Sequence, residues 1–338
     1  MPGPEPADPS RWRLLALPPL PVEMLESLLA DLPVAVSVPD TRDRGGLHAA
    51  LPGAEIVVGD WTGTFRLADA EAEIAGQLAF VQQPSVGVET IDLAAFGRRG
   101  VPVSNVAGTN SIAVAEWCIA ATLAVLRCLG WADSQVRAGS WPNLDVAGRG
   151  SMELAGRRVG ILGFGPIGRA CAERFAAFGC PVAYWSRSRR GPAESAGAVY
   201  LEFAELLATS DVLVVVVAFG PETAGVLDAR RLALLPSGAI LVNAARGGIV
   251  DEPALAAAVE RGSLAGAAVD VYDTEPLPES SPLRGNERIL LSPHAAGSTQ
   301  QSLARIVSVL HDNIERAVLG EPVHFLCNDA APLVRRRS

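Results

Sequence analysis

RRVGILGFGPIGRACAERFAAFGCPVAYWSRSRR, residues 157–190, is the stretch whose reading decides the fold. An apolar run at 159–162 meets Gly163-Phe164-Gly165-Pro166-Ile167-Gly168. A helix-like segment then runs to about Gly179, and a second apolar run fills 181–185. This is a βαβ unit with G-x-G-x-x-G at its first turn. Each glycine answers a different demand: Gly163 permits the tight turn, Gly165 lets a diphosphate approach the backbone, and Gly168 lets the helix lie close on the strand. Free N–H groups and the positive end of the helix dipole then face the anion. The pattern alone is weak in a chain with 33 glycines. A strand before it and a helix after it make it a dinucleotide site.

The end of the second strand bears on which dinucleotide is bound. An acidic residue there usually accepts from the adenosine ribose hydroxyls of NAD. Here the place belongs to Ser186, followed by Arg187, Ser188, Arg189 and Arg190. A carboxylate would repel a 2′-phosphate, whereas hydroxyl and guanidinium groups bind one through charge-assisted hydrogen bonds. The expectation is NADP in preference to NAD. The alternative is that the arginines form a solvated turn.

With 338 residues, 49% of them hydrophobic and 19% charged, the chain is expected to be a soluble globular protein of two domains. A net charge of −9 argues against nucleic acid as a partner. Lysine is absent and all 28 strongly basic residues are arginine, which excludes Schiff-base lysine chemistry and the P-loop lysine. The five cysteines, Cys118, Cys128, Cys171, Cys180 and Cys327, show no C-x-x-C and read as buried thiols of a reducing compartment. His48, His294, His311 and His324 have no metal-ligand spacing. Residues 1–10 are proline-rich, expected to be disordered, and unlike a signal peptide; no apolar run could cross a bilayer. A cytoplasmic location without membrane contact is expected.

From Arg13 to Asn105 short apolar runs at 14–17, 34–38, 55–59, 78–82 and 101–104 alternate with helical spacing, as at 22–32 and 67–75. This predicts a smaller, flavodoxin-like α/β domain. A long apolar helix is expected over 112–129 after N-cap candidates at 109–111, and an irregular polar segment over 130–154. Further strands are expected at 212–218, 239–244, 267–272 and 289–292, with helices at 202–208, 229–235 and 252–261. These complete a Rossmann-type doubly wound parallel sheet. An amphipathic helix at 298–319 comes too late for the sheet and is expected to return to the first domain. The expected division is 11–108 with 299–330 for the substrate domain and 109–298 for the dinucleotide domain. The tail Arg335-Arg336-Arg337 reads as a solvated end.

Ligands of doubly wound folds bind beyond the carboxyl ends of the strands. Arg246 after AILVNA, Glu275 after AAVDVYD and His294 after ILLSP lie there. Arg246 can bind a carboxylate bidentately and polarise a neighbouring carbonyl. His294 can give or take the proton of an alcohol or carbonyl oxygen. Glu275 beside the imidazole would fix its tautomer and favour the protonated form. Each has an ordinary structural role available; their convergence on one set of strand ends favours the chemical one.

The chain resembles the D-isomer-specific 2-hydroxyacid dehydrogenases over roughly residues 82–302. The resemblance rests on VGVETID (86–92), NSIAVAE (110–116), GFGPIG, PETAGVLD (221–228), VNAARGGIVDEPAL (242–255), VDVYDTEPLP (269–278) and SPHAAGST (292–299). It implies Arg246 as substrate-binding arginine and Glu275 with His294 as acid/base pair. It implies that the backbone around Ser85, Val86 and Gly87, with Asn110 near, holds the carboxylate of a small 2-oxo or 2-hydroxy acid. It also implies cofactor contacts at Ala218, Thr223, Ala244, Ala245, Asp270 and Gly297, and a homodimer formed largely by the dinucleotide domain. Three departures stand out: Ser186 for the usual acid, Glu89 for a common aspartate and Ala218 for a common proline.

Within the family, formate dehydrogenases typically carry glutamine at the position of Glu275, so the glutamate implies an oxo or hydroxy acid. Phosphoglycerate dehydrogenases often add a C-terminal regulatory domain, whereas this chain ends about twenty residues after its last expected helix. Ser186-Arg187-Ser188-Arg189 beside Arg246, Glu275 and His294 is most similar to NADPH-dependent glyoxylate and hydroxypyruvate reductases. Two alternatives remain at this point. One is a dinucleotide-sensing protein resembling the family's co-repressor relatives, and the other is a dehydrogenase of a dedicated biosynthetic acid.

Overall fold

The computed structural model describes residues 10–191 and 195–336. The N-terminal stretch expected to be disordered, except Ser10, and Arg337 lie outside the described residues. The chain divides into two compact units, Met1–Asn110 with Gln300–Ser338, and Ser111–Thr299.

In the first unit β1 (Trp12–Ala16), β2 (Val34–Ser37), β3 (Ile56–Val58), β4 (Phe80–Gln82) and β5 (Val103–Ser104) form one parallel sheet. Its order is β2-β1-β3-β4-β5, that of flavodoxin. β3 and β4 are buried at every residue because helices cover both faces. Leu47, Ala72 and Phe96 pack on one face, from helices Arg44–Ala50, Asp69–Ile74 and Leu93–Arg98. Leu25, Leu310 and Ile314 pack on the other, from Val22–Leu28 and Gln300–Leu319. The late amphipathic helix does return to this unit. Within the arginine tail Arg335 and Arg336 are exposed, but Arg336 also has partners. Arg336 Nε lies 3.1 Å from Glu55 Oε1 and its guanidinium covers the Trp12 ring. Glu55 is buried, and a buried carboxylate requires such a partner.

The second unit holds β6 (Val159–Leu162), β7 (Val182–Trp185), β8 (Val199–Tyr200), β9 (Val212–Val215), β10 (Ala239–Asn243), β11 (Leu264–Val269) and β12 (Ile289–Leu291). All are parallel, in the order β12-β11-β10-β9-β6-β7-β8. This is the doubly wound arrangement, with its switch point between β6 and β9. Trp185, Leu162, Val215, Asn243, Val269 and Leu291 are successive register partners across six strands. One row therefore marks the carboxyl edge of the sheet.

Four local expectations are corrected. The long helix stops at Leu126, and Leu129–Arg137 starts a second one after a bend of 63°. Cys128 causes the break, since its left-handed φ of 52° cannot continue a helix. The segment 130–154 is accordingly not irregular: it carries the rest of that helix and a short one at Asp145–Gly148. β11 begins at Leu264 and ends at Val269, three residues earlier than expected at each end. Its Ala and Gly residues hide the start, and Asp270 leaves the strand to bind other backbone. Finally, Cys128 and Cys327 are only partly buried, unlike Cys118, Cys171 and Cys180. β8 was not expected; two residues are too few to show a period. Among the described residues no single helix is long and apolar enough to cross a membrane.

Candidate active site

The glycines of the first turn behave as their chemistry requires. Gly163 has φ 103°, and a Cβ there would stand 2.5 Å from the Val217 backbone. A Cβ on Gly168 would stand 2.2 Å from the Gly163 carbonyl oxygen. At Gly165 it would meet nothing within 4 Å. Two glycines thus allow close packing and the third leaves an open approach to the backbone. That approach lies at the start of helix Pro166–Ala177, which has no side-chain cap. The residues present fit a dinucleotide diphosphate. Phe164 is buried, stacked on Tyr184 with ring centroids 3.9 Å apart, and braces the turn against β7.

Beyond β7 the buried Ser186 hydroxyl donates its proton to the Ser188 carbonyl at 2.7 Å. It closes a turn and has no second proton for a phosphate. Arg187, Ser188, Arg189 and Arg190 are exposed, with the Arg189 guanidinium over the Tyr200 ring. Beyond β9, Thr223 Oγ1 donates to the Ala218 carbonyl at 2.8 Å, which fixes the turn that exposes Ala218. Beyond β10, Ala245 N donates to the buried Asn243 Oδ1, and Ala244 N to Val215.

Arg246, Glu275 and His294 follow β10, β11 and β12, three neighbouring strands whose ends are in register. Arg246 is half-buried, and Nη1 donates to the Ala245 carbonyl at 2.7 Å. Its turn is pressed onto the next loop, because a Cβ on Gly247 would lie 1.9 Å from the Tyr272 carbonyl oxygen. His294 Nδ1 lies 2.8 Å from Glu275 Oε2, while Glu275 Oε1 accepts from Tyr272 N at 3.0 Å. Both carboxylate oxygens are held, so the imidazole is oriented and its Nε2 is the edge left for proton transfer. His294 itself has φ 52°, an uncommon conformation for a residue with a Cβ.

Asp270 holds that conformation. Its carboxylate, 1% exposed, accepts from Ser292 Oγ, from Ala295 N at 2.8 Å and from Ala296 N at 2.8 Å. Its backbone carbonyl accepts from His294 N at 2.8 Å. The side chain therefore anchors the histidine loop, which includes the half-buried Gly297. Tyr272, absent from the expected site, serves the same loop: its hydroxyl shares its one proton between the carbonyls of Val269 at 2.9 Å and Ser292 at 2.8 Å. Burial, aided by Asp270 and nearby glutamates, pushes its pKa up to about 12 and keeps the phenol a donor. Burial also raises the Glu252 carboxyl, which accepts from Asp273 N at 2.7 Å. The sequence offered Tyr272 only as part of VDVYDTEPLP.

Ser85, Val86, Gly87 and Asn110 belong to the first unit, where the loop 83–88 leaves β4. Ser85 Oγ donates to the Gly87 carbonyl at 2.8 Å and accepts from Gln83 Nε2 at 2.8 Å. Asn105 Nδ2, just past β5, donates to the Val86 carbonyl at 2.7 Å. Asn110 is half-buried, and its Oδ1 lacks a hydrogen-bond donor. Among the described residues no group of three His, Cys, Asp or Glu side chains could hold a metal ion.

The sequence matches the model of the D-isomer specific 2-hydroxyacid dehydrogenase NAD binding domain over residues 119–296. D-3-phosphoglycerate dehydrogenase of Archaeoglobus fulgidus is 37% identical over 262 residues, 77% of this chain and 49% of that protein. Glyoxylate reductase of Aeropyrum pernix is 37% identical over 267 residues, 78% of this chain and 80% of that protein. The chain thus spans about half the length of the phosphoglycerate dehydrogenases it matches. Among solved structures, the NAD-dependent formate dehydrogenase of Staphylococcus aureus in complex with NAD has a TM-score of 0.82. It is 27% identical, and the match covers 94% of this chain and 100% of that one.

Proposed function

This chain belongs to the D-isomer specific 2-hydroxyacid dehydrogenase family, and on that premise we propose that it reduces a small 2-oxo acid to the 2-hydroxy acid. The observation that carries the reading is the His294–Glu275 pair beyond the carboxyl ends of β12 and β11. A nicotinamide dinucleotide, when bound, supplies the hydride that the carbonyl carbon receives. Gly163, Gly165, Gly168 and the uncapped start of Pro166–Ala177 hold its diphosphate. His294 delivers the proton to the carbonyl oxygen from Nε2, and Glu275 keeps the ring turned for that transfer. Arg246 binds the carboxylate and polarises the carbonyl.

The finer assignment is NADPH with glyoxylate or hydroxypyruvate. Arg187, Ser188 and Arg189, exposed beyond β7 with no carboxylate among them, suit a 2′-phosphate. A similar protein, from Aeropyrum pernix, is a glyoxylate reductase. We also propose a homodimer, on the exposed apolar residues Leu129, Val136, Trp141 and Leu144 of the second unit.

The test is oxidation of NADPH, and separately NADH, by the purified protein with glyoxylate, hydroxypyruvate, pyruvate and phenylpyruvate. Turnover with NADPH ahead of NADH is expected. Consumption of neither cofactor with any acid, while both still bind, replaces reduction by dinucleotide sensing or by a dedicated substrate outside this panel.

A further inference from the structure

Tyr184 of β7 carries a hydroxyl that the chemistry above leaves unused. The residue is 1% exposed, its ring stacked on Phe164 of the dinucleotide turn and set edge-on to Tyr200 of β8 with centroids 5.6 Å apart. A phenylalanine would make both of those contacts. The phenol oxygen is a further demand, because a buried hydroxyl is unfavourable unless it finds polar partners. Both partners of this one belong to Arg190: Arg190 N donates to Tyr184 Oη at 2.9 Å, and Oη donates to the Arg190 carbonyl at 3.4 Å.

That tie closes the turn after β7. The chain leaves the strand at Trp185 and is drawn back at Arg190 onto a side chain of the strand it has just left. Among the described residues 187–190 make no backbone–backbone hydrogen bond. Two side-chain hydroxyls hold the turn instead: Ser186 Oγ on the Ser188 carbonyl at 2.7 Å, and Tyr184 Oη on Arg190. Between the two ties stand the exposed Arg187, Ser188 and Arg189. The Arg189 guanidinium lies 5.4 Å from the centre of the Tyr200 ring, so its cation rests on the same aromatic group.

We propose that Tyr184 is a positioning residue for cofactor choice: its hydroxyl, acting through the Arg190 peptide, holds the apex of this turn in the shape that receives a 2′-phosphate. The inference rests on reading that phosphate onto Arg187, Ser188 and Arg189. A turn already closed loses less freedom when the anion binds. A dinucleotide without the phosphate does not use the apex. It is held by the glycine turn, which the Tyr184 ring braces with or without its oxygen. The ring thus serves both cofactors and the oxygen only one.

Tyr184→Phe removes the oxygen and keeps the ring. Calorimetric titration of wild type and variant with 2′,5′-ADP, 5′-AMP, NADPH and NADH reads what the phosphate contributes. The rate of trypsin cleavage at Arg187, Arg189 and Arg190 reads the closure of the turn. The variant is expected to bind 2′,5′-ADP and NADPH about three- to tenfold more weakly, the scale of one lost hydrogen bond, with 5′-AMP and NADH unchanged. Cleavage is expected to quicken in the variant, and 2′,5′-ADP but not 5′-AMP should slow it in wild type. Equal affinity of both proteins for 2′,5′-ADP, an equal loss for NADH, or cleavage no faster in the variant would each overturn the proposal. Failure of the phosphate reading has a separate signature: wild type then binds 2′,5′-ADP no more tightly than 5′-AMP, and the proposal falls with it.

Discussion

Gly247 and Tyr272 touch so closely that a Cβ on the glycine would stand 1.9 Å from the tyrosine carbonyl oxygen. The contact joins the turn that carries Arg246 to the loop that carries Glu275. No flexible side chain lies there to move aside, so Gly247→Ala must shift one loop from the other. A loss of about 1–3 kcal/mol of stability is expected, with a fall in kcat. Urea unfolding and steady-state kinetics check it; an alanine variant with wild-type stability would mean that the loops are not in contact.

His294→Ala should lower kcat by roughly 10²- to 10⁴-fold, the range of a lost general acid. Dinucleotide binding, read by fluorescence titration, should persist. The left-handed backbone at His294 complicates alanine, so His294→Asn is the better companion, because asparagine tolerates that conformation. Both variants should be equally slow, and retained turnover in either would remove the histidine from the reaction.

Ser186→Asp places a carboxylate at the end of β7. If Arg187, Ser188 and Arg189 hold a 2′-phosphate, the change should weaken NADPH by about tenfold or more through like-charge repulsion. NADH should be spared or favoured. Equal loss of both cofactors would contradict the phosphate reading.

Asp211 accepts from Arg158 Nη2 at 2.8 Å, from its Nε at 3.1 Å and from its backbone N at 2.9 Å. The guanidinium holds the carboxyl below its ordinary value of 3.8. A carboxyl depressed in the folded state contributes stability above its unfolded pKa and loses it as pH falls through the folded one. Asp211→Asn should therefore lower stability by on the order of 1 kcal/mol at neutral pH. The gap from wild type should close below pH 3.8. Thermal midpoints across acid pH decide this; a gap independent of pH would assign the loss to packing.

Trp141 and Leu144 are 79% and 88% exposed. Large apolar side chains clustered in this way mark an interaction surface. Trp141→Ser with Leu144→Ser should convert a dimer to a monomer in sedimentation velocity. A wild-type protein that already sediments as a monomer rules the dimer out.

The sequence by itself was enough for both parallel sheets, because buried strands and amphipathic helices are written in the spacing of apolar residues. It also offered Gly163, Gly168, Arg246, Glu275 and His294, since each stands at a recognisable place after an apolar run. It could not show the break at Cys128, where the backbone conformation, not the residue type, ends the helix. Nor could it show β8 or the early start of β11, where the strand is too short or its side chains too small to leave a pattern. The support of the site was equally hidden. Asp270 and Ser292 meet across 22 residues, and Arg336 and Glu55 across 281. Such partners are chosen by burial: a polar group taken from water binds whatever donor or acceptor the packed chain brings beside it, and only the folded chain fixes which one that is.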